Sequence, residues 1–184
     1  MIYLMRHGQD DENYIGGWSN LSLTKEGVDE VKNTAKWIKD NLSIKKIITS
    51  DINRAVETAN IVNELLNVDI LITDKLREQN KGKLNGMLKT EADKKYPDFR
   101  EGGIDTIYPN GESLIDLYNR IKKYIEEILK FDNNTLIITH RGVINMIYYI
   151  LNNKELDFDK KQFMVTVNSI HELDQTNKTI KKIR

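Results

Sequence analysis

The chain has 184 residues, enough for one domain with a proper buried core. Lysines and arginines number 28, as do aspartates and glutamates, so the zero formal charge offers no basic field for nucleic acid and no acidic tail for a disordered partner segment. The lack of cysteine rules out a disulfide framework, thiolate catalysis and cysteine-ligated zinc, and fits a reducing, cytoplasmic setting.

Met1–Met5 read as a short buried strand, followed with no spacer by Arg6, His7 and Gly8. That run is too short for the apolar part of a signal peptide, and Arg6 with Asp10-Asp11-Glu12 cuts it off. Residues 9–23, with Asn13, Gly16-Gly17 and Asn20, form a functional loop. Thr24 caps a helix whose apolar positions Val28, Val31, Ala35, Ile38 and Leu42 follow helical spacing. Lys46–Thr49 is a second strand. Ser50-Asp51 offer capping oxygens to a helix carrying Ala55, Ala59, Val62 and Leu66, and Val68–Thr73 is a third strand.

Residues 74–110 are irregular, with four glycines and both prolines of the chain, and a short helix over Thr90–Lys95 that ends before Pro97. Loops this long inside a domain are usually functional or disordered, and a cap over the carboxyl edge of the sheet is expected at about 74–111. Leu114, Leu117, Ile121, Tyr124, Ile125 and Ile128 write a long helix over Glu112–Lys130. Leu136–Thr139 is a strand, followed by His140, Arg141 and Gly142 and then a helix over Val143–Leu151. The longest late apolar run, Met146–Leu151, is far short of the roughly 20 residues that span a bilayer, so no membrane partner is expected. Phe163–Val167, Ser169–Leu173 and Thr179–Ile183 read as closing strands, with Asp174–Lys178 turning the last pair into a hairpin. Strands separated by helices predict one α/β domain over 1–184. It is a three-layer α/β/α sandwich with a mostly parallel central sheet and a mixed edge near the C-terminus.

Two strands thus end in an imidazole, a guanidinium and a glycine, and Arg54 stands one turn into the helix after a third. Parallel neighbours would bring these groups together above one sheet edge, where open α/β folds bind ligands. Arginines and helix amino ends favour a phosphate, and a neutral imidazole is a nucleophile. The combination points to phosphoryl transfer through a phosphohistidine. His7, His140, Asp10 and Asp11 also make a conceivable metal set, but the adjacent arginines oppose a cation and no metal-binding spacing is present, so no metal is expected. His171, Trp18, Trp37 and the lysine pairs read as structural or solvated.

These motifs resemble the histidine phosphatase superfamily, which contains the cofactor-dependent phosphoglycerate mutases. The resemblance begins at Met5-Arg6-His7-Gly8-Gln9, Asn13, Gly17-Trp18 and Leu23–Gly27. It continues through Thr49–Ala59, Leu76-Arg77-Glu78 with Gly82 and Gly86, Asn110–Leu114 and Thr139–Ile144. It implies a phosphoglycerate mutase-like fold and a metal-independent phosphomonoester hydrolase, with no cofactor, acting on a small phosphorylated metabolite. His7 would carry the phosphoryl group, Arg6, Arg54 and His140 would hold its oxygens, and Glu78 would be the general acid. Gly8, Asn13, Gly17 and Gly142 would line the phosphate, and Arg141 would contact an anionic substrate or narrow the pocket. On this reading Glu78 stands protonated at the leaving step, and kcat falls on the alkaline side.

Asp10 replaces the family's usual threonine or serine and is expected to point away or to be held by an arginine. Gln79-Asn80-Lys81-Gly82-Lys83 lacks the mutases' Arg and Tyr, which favours a phosphatase, and Lys81 or Lys83 would suit a substrate with a second negative group. The alternatives are a phosphoglycerate mutase, which re-donates the phosphoryl group, and a non-catalytic phosphate-ligand binder. The oligomeric state is left open.

Overall fold

Continuous apolar pentapeptides produce strands buried on both faces, because successive side chains point to opposite sides. The computed structural model describes residues 1–99, 102–157 and 162–184. Its sheet runs β3-β2-β4-β1-β5-β6. β1 (Ile2–Arg6), β2 (Lys46–Ser50), β3 (Asp69–Thr73) and β4 (Thr135–Thr139) are mutually parallel. β5 (Ile170–Asp174) is antiparallel to β1, and β6 (Thr179–Lys182) is antiparallel to β5.

In β1, Tyr3 and Met5 pack with Val31, Ala35 and Ile38 of α1 (Lys25–Asn41) and Ala55, Ala59 and Val62 of α2 (Asn53–Leu66). Ile2 and Leu4 join the opposite cluster, built on α4 (Leu114–Ile128) and α5 (Arg141–Leu151). The result is the expected α/β/α sandwich with a mixed edge. β3 is one of the two edge strands, and its Leu71 and Ile72 remain exposed.

The register positions the site. Arg6 pairs with Thr139, so β1 and β4 end level, and the His7 amide donates to the Thr139 carbonyl at 2.9 Å. His7 and His140 therefore emerge side by side. The helix starts follow from their caps: Thr24 Oγ1 accepts from the Gly27 amide, and Ser113 with Asp116 forms a capping box on α4.

Two local expectations are corrected. Ser50 and Asp51 do not cap α2, whose N-cap is Ile52 with no side-chain bond. Ser50 Oγ instead takes His140 and the Ile52 amide, and the Asp51 carboxylate is engaged by Arg77. Phe163–Val167 is not a strand. Met164 is left-handed (φ 52°) and the Thr166 amide bonds back to its carbonyl, so the segment is a tight loop.

The 74–111 excursion holds 3₁₀ turns at Asp74–Leu76, Gly82–Leu84 and Pro97–Phe99, and the short helix α3 (Lys89–Lys95). A bridge between Tyr14 and Leu88 ties it to the loop after β1. Among the described residues no helix is long and apolar enough to cross a membrane.

Candidate active site

The end of β1 delivers His7, and its tautomer follows from its partners. Nδ1–H donates to the Gly8 carbonyl at 2.7 Å, which leaves the lone pair on Nε2. That lone pair receives Nε–H of Arg54 at 3.1 Å. Arg54, at the start of α2, is 2% exposed. Its Nη1 donates to Ser19 Oγ (3.3 Å), and its Nη2 to the Gly17 carbonyl (2.8 Å) and His140 Nδ1 (3.3 Å). With Nδ1 accepting, His140 Nε2–H donates to Ser50 Oγ at 2.9 Å. The two imidazole centroids lie 5.0 Å apart.

Electrostatics keep both rings neutral. Burial, then Arg54 and Arg6, pulls His7 well below its ordinary 6.5; burial, then Arg54 and His7, does the same to His140. Arg6 is pushed down to about 10 by burial and by Arg141. Its Nη1 donates to the Val165 carbonyl at 3.1 Å, while its buried Nε has no partner among the described residues.

Glu78 reaches the same cavity from the excursion. Its oxygens accept the Gln79 amide (2.8 Å) and the Gly142 amide (3.0 Å). Burial pushes the carboxyl up, but those two amides, with Arg54 and Arg141, outweigh it and hold the group below its ordinary 4.5. These contacts favour the carboxylate, whereas the leaving step calls for a protonated Glu78. A Cβ on Gly142 would lie 2.0 Å from Glu78 Oε1, so only glycine permits this approach. From behind, Arg120 Nη2 donates to the Arg77 and Glu78 carbonyls (3.0 and 3.2 Å), and Trp18 Nε1 to the Glu78 carbonyl (2.6 Å).

A cavity of about 460 Å³ opens over these groups. Arg6, His7, Gly17, Arg54, Arg141 and Gly142 line it, together with Glu78. His140 is fully buried beneath, acting through Arg54. Two expected lining residues lie elsewhere. Gly8 sits below His7, with its amide on Thr58 Oγ1 at 3.0 Å, and Asn13 is exposed with its side chain turned onto Asp11 Oδ1 at 2.9 Å. Asp10 faces the cavity and is held by Arg54, as one of the two expected arrangements required. Lys81 also lines it, whereas Lys83 is exposed and does not.

Ser19 and Arg120 escaped the sequence reading, which took Ser50 for a cap and Trp18 for a packing residue. Only Ser50, which closes a buried strand level with the histidines, carried a usable signal. Among the described residues no group of three His, Asp or Glu side chains is arranged to hold a metal.

The whole of this geometry spans the residues matched by a family model. The histidine phosphatase superfamily (branch 1) model aligns with residues 2–184. Among curated proteins, "Uncharacterized phosphatase PhoE" of Bacillus subtilis (strain 168) is 32% identical over 151 residues, 79% of this chain and 74% of that protein. "Probable phosphoglycerate mutase GpmB" of Proteus mirabilis (strain HI4320) is 30% identical over 148 residues, covering 76% and 68%. Among solved structures, the alpha-ribazole phosphatase from Shigella flexneri superposes with a TM-score of 0.85 at 21% identity, covering 98% of this chain and 93% of that one, which shows the shared fold.

Proposed function

The chain belongs to the histidine phosphatase superfamily, and on that footing we propose that it hydrolyses a small phosphomonoester through a phosphohistidine on His7, without a metal. The observation that carries this reading is the His7 tautomer: a neutral ring at a cavity lined by arginines, with its lone pair on Nε2 and capped there by Arg54 Nε–H.

Arg54 Nε–H passes from His7 Nε2 to a phosphoryl oxygen, and the freed Nε2 lone pair attacks phosphorus as the bond from phosphorus to the leaving oxygen breaks. Arg6 and Arg54 stabilise the phosphoryl charge, and His140 acts through Arg54. The leaving oxygen takes a proton and departs as an alcohol. Water then gives a proton to Glu78 and its oxygen attacks phosphorus; the bond to Nε2 breaks, and orthophosphate and neutral His7 remain.

The resting carboxylate state of Glu78 bears on the first proton. A phosphoryl monoanion can bring it, because the second ionisation of a phosphomonoester lies near pH 6. A dianion beside Glu78 also raises that carboxyl towards protonation. Either way kcat/KM falls as pH rises above roughly 6. In Glu78→Gln, His7 is still phosphorylated, but the step that needs a base slows by about 10²–10⁴-fold. Phosphoenzyme therefore accumulates, which a rapid-quench measurement reads directly. An unchanged steady-state rate and pH profile would remove Glu78 from the mechanism.

Lys81, pushed down to about 8 by burial, lines the cavity together with Arg141. This pair supports an alcohol half with its own anionic group. The deciding assay is phosphate release from para-nitrophenyl phosphate and a panel of phosphorylated metabolites, with and without EDTA. EDTA-resistant hydrolysis supports the reading, and hydrolysis that EDTA abolishes overturns it. Phosphoryl exchange with a bisphosphoglycerate, in place of hydrolysis, would move the assignment to a mutase. The cysteine-free composition agrees with work in the cytoplasm.

A further inference from the structure

We infer that Asp10 is an internal competitor for the phosphoryl site, a residue that sets how loosely the protein holds free orthophosphate. The consequence for turnover rests on the phosphatase reading, whereas the binding effect stands on the geometry alone. Asp10 Oδ2 lies 3.5 Å from Arg54 Nε, and the hydrogen on that same nitrogen goes to His7 Nε2 at 3.1 Å. One N–H of one guanidinium thus faces both the nucleophile's lone pair and a carboxylate. A phosphoryl oxygen that takes Nε–H must displace both. The other two nitrogens of Arg54 are committed to Ser19, Gly17 and His140.

Asp10 is not a surface acid that happens to lean inwards. Its side chain is only 15% exposed, its backbone bridges Leu23, and the neighbouring Gln9 carbonyl accepts the Thr24 amide at 2.9 Å. The other wall closes over the pair: a Cβ on Gly16 would stand 3.6 Å from Arg54 Nη2 and 3.9 Å from Asp10 Oδ2. The carboxylate acts electrostatically on both Arg6 and Arg54, the two cations best placed to hold a phosphoryl group. An entering phosphate therefore meets a like charge at the one place where the arginines attract it most.

In a hydrolytic cycle this matters at the end. The last species in the site is orthophosphate, the ligand the arginines bind best, and a carboxylate returning to Arg54 helps expel it. An enzyme that had to retain a phosphoryl donor would be hindered by the same residue.

Asp10→Asn keeps the shape and removes the charge; Asp10→Ser removes the carboxylate altogether and carries the test if the amide disturbs the loop. Isothermal titration with orthophosphate and with orthovanadate at pH 7.5, without any ester, is expected to give dissociation constants at least tenfold tighter in both variants than in the wild type. Unchanged or weaker binding in both variants overturns the inference, as does failure of all three proteins to bind either anion. The titration needs no turnover. A wild type that hydrolyses nothing, with variants that bind orthophosphate more tightly, would sink the phosphatase reading and leave this one standing.

Discussion

Replacing His7 with alanine is expected to abolish the phosphoenzyme and to lower kcat by roughly 10⁴- to 10⁶-fold, the range seen when a catalytic nucleophile is removed. His140 cannot take over. It lies fully buried beneath the cavity, which it does not line, and its Nε2–H is spent on Ser50. The arginines that hold phosphate remain, so orthophosphate binding in His7→Ala should stay within several-fold of the wild type. The pairing of lost turnover with retained binding separates a missing nucleophile from a damaged fold. Hydrolysis within tenfold of the wild type would place the nucleophile elsewhere.

Arg54→Met has the second largest expected effect, a loss of about 10³-fold or more in kcat/KM, because one side chain both cradles the phosphoryl oxygens and orders its neighbours. The change also has a signature in pH. After burial, Arg54 is the strongest influence lowering both His7 and His140. Removing its charge lets both rings take protons at higher pH, so the acidic limb of kcat/KM moves upwards. NMR titration of the histidines gives an internal control. His171 is lowered to about 4 by burial and by Lys182, and it should not move. Parallel shifts in all three rings would report loosening of the fold, and no shift in any would deny Arg54 its electrostatic role. Arg54→Lys should recover little, since a single ammonium cannot serve His7, His140, Ser19 and Gly17 together.

What could be read from the sequence follows the range of the interactions involved. β1 and β4 were legible because strands buried on both faces must be continuously apolar, and the histidines were legible because each follows such a run directly. Thr24 was legible as a cap because its partner, the Gly27 amide, is three residues away. The failures depend on distant partners. Ser50 and Asp51 look like caps, yet His140 and Arg77 claim them from remote parts of the chain. Phe163–Val167 has the composition of a strand, but its loop is set by a left-handed Met164 and by Phe163 stacking on Tyr148 at 4.7 Å. The contacts that pull Glu78 below its ordinary value were invisible for the same reason, since the Gly142 amide among them belongs to a helix 64 residues away.

The buried histidines also tie the protein's survival to acidity. His7, His140 and His171 are all held below 6.5 when folded, each first by burial, and each regains its ordinary value when the chain unfolds. Between the folded and unfolded values the unfolded chain binds protons that the folded one refuses. Stability is therefore complete above about pH 6.5 and drains away as pH falls towards the folded values, for His171 about 4. With three such groups the slope approaches roughly 4 kcal/mol per pH unit, against a typical total of about 5–15 kcal/mol. Urea titrations at pH 7.5 and 5.5 should show the midpoint falling steeply with acidity, with His171→Asn flattening the fall by about one proton. The chemistry runs faster as protons become available, but the same protons dismantle the catalyst, so its working range is closed from below by unfolding.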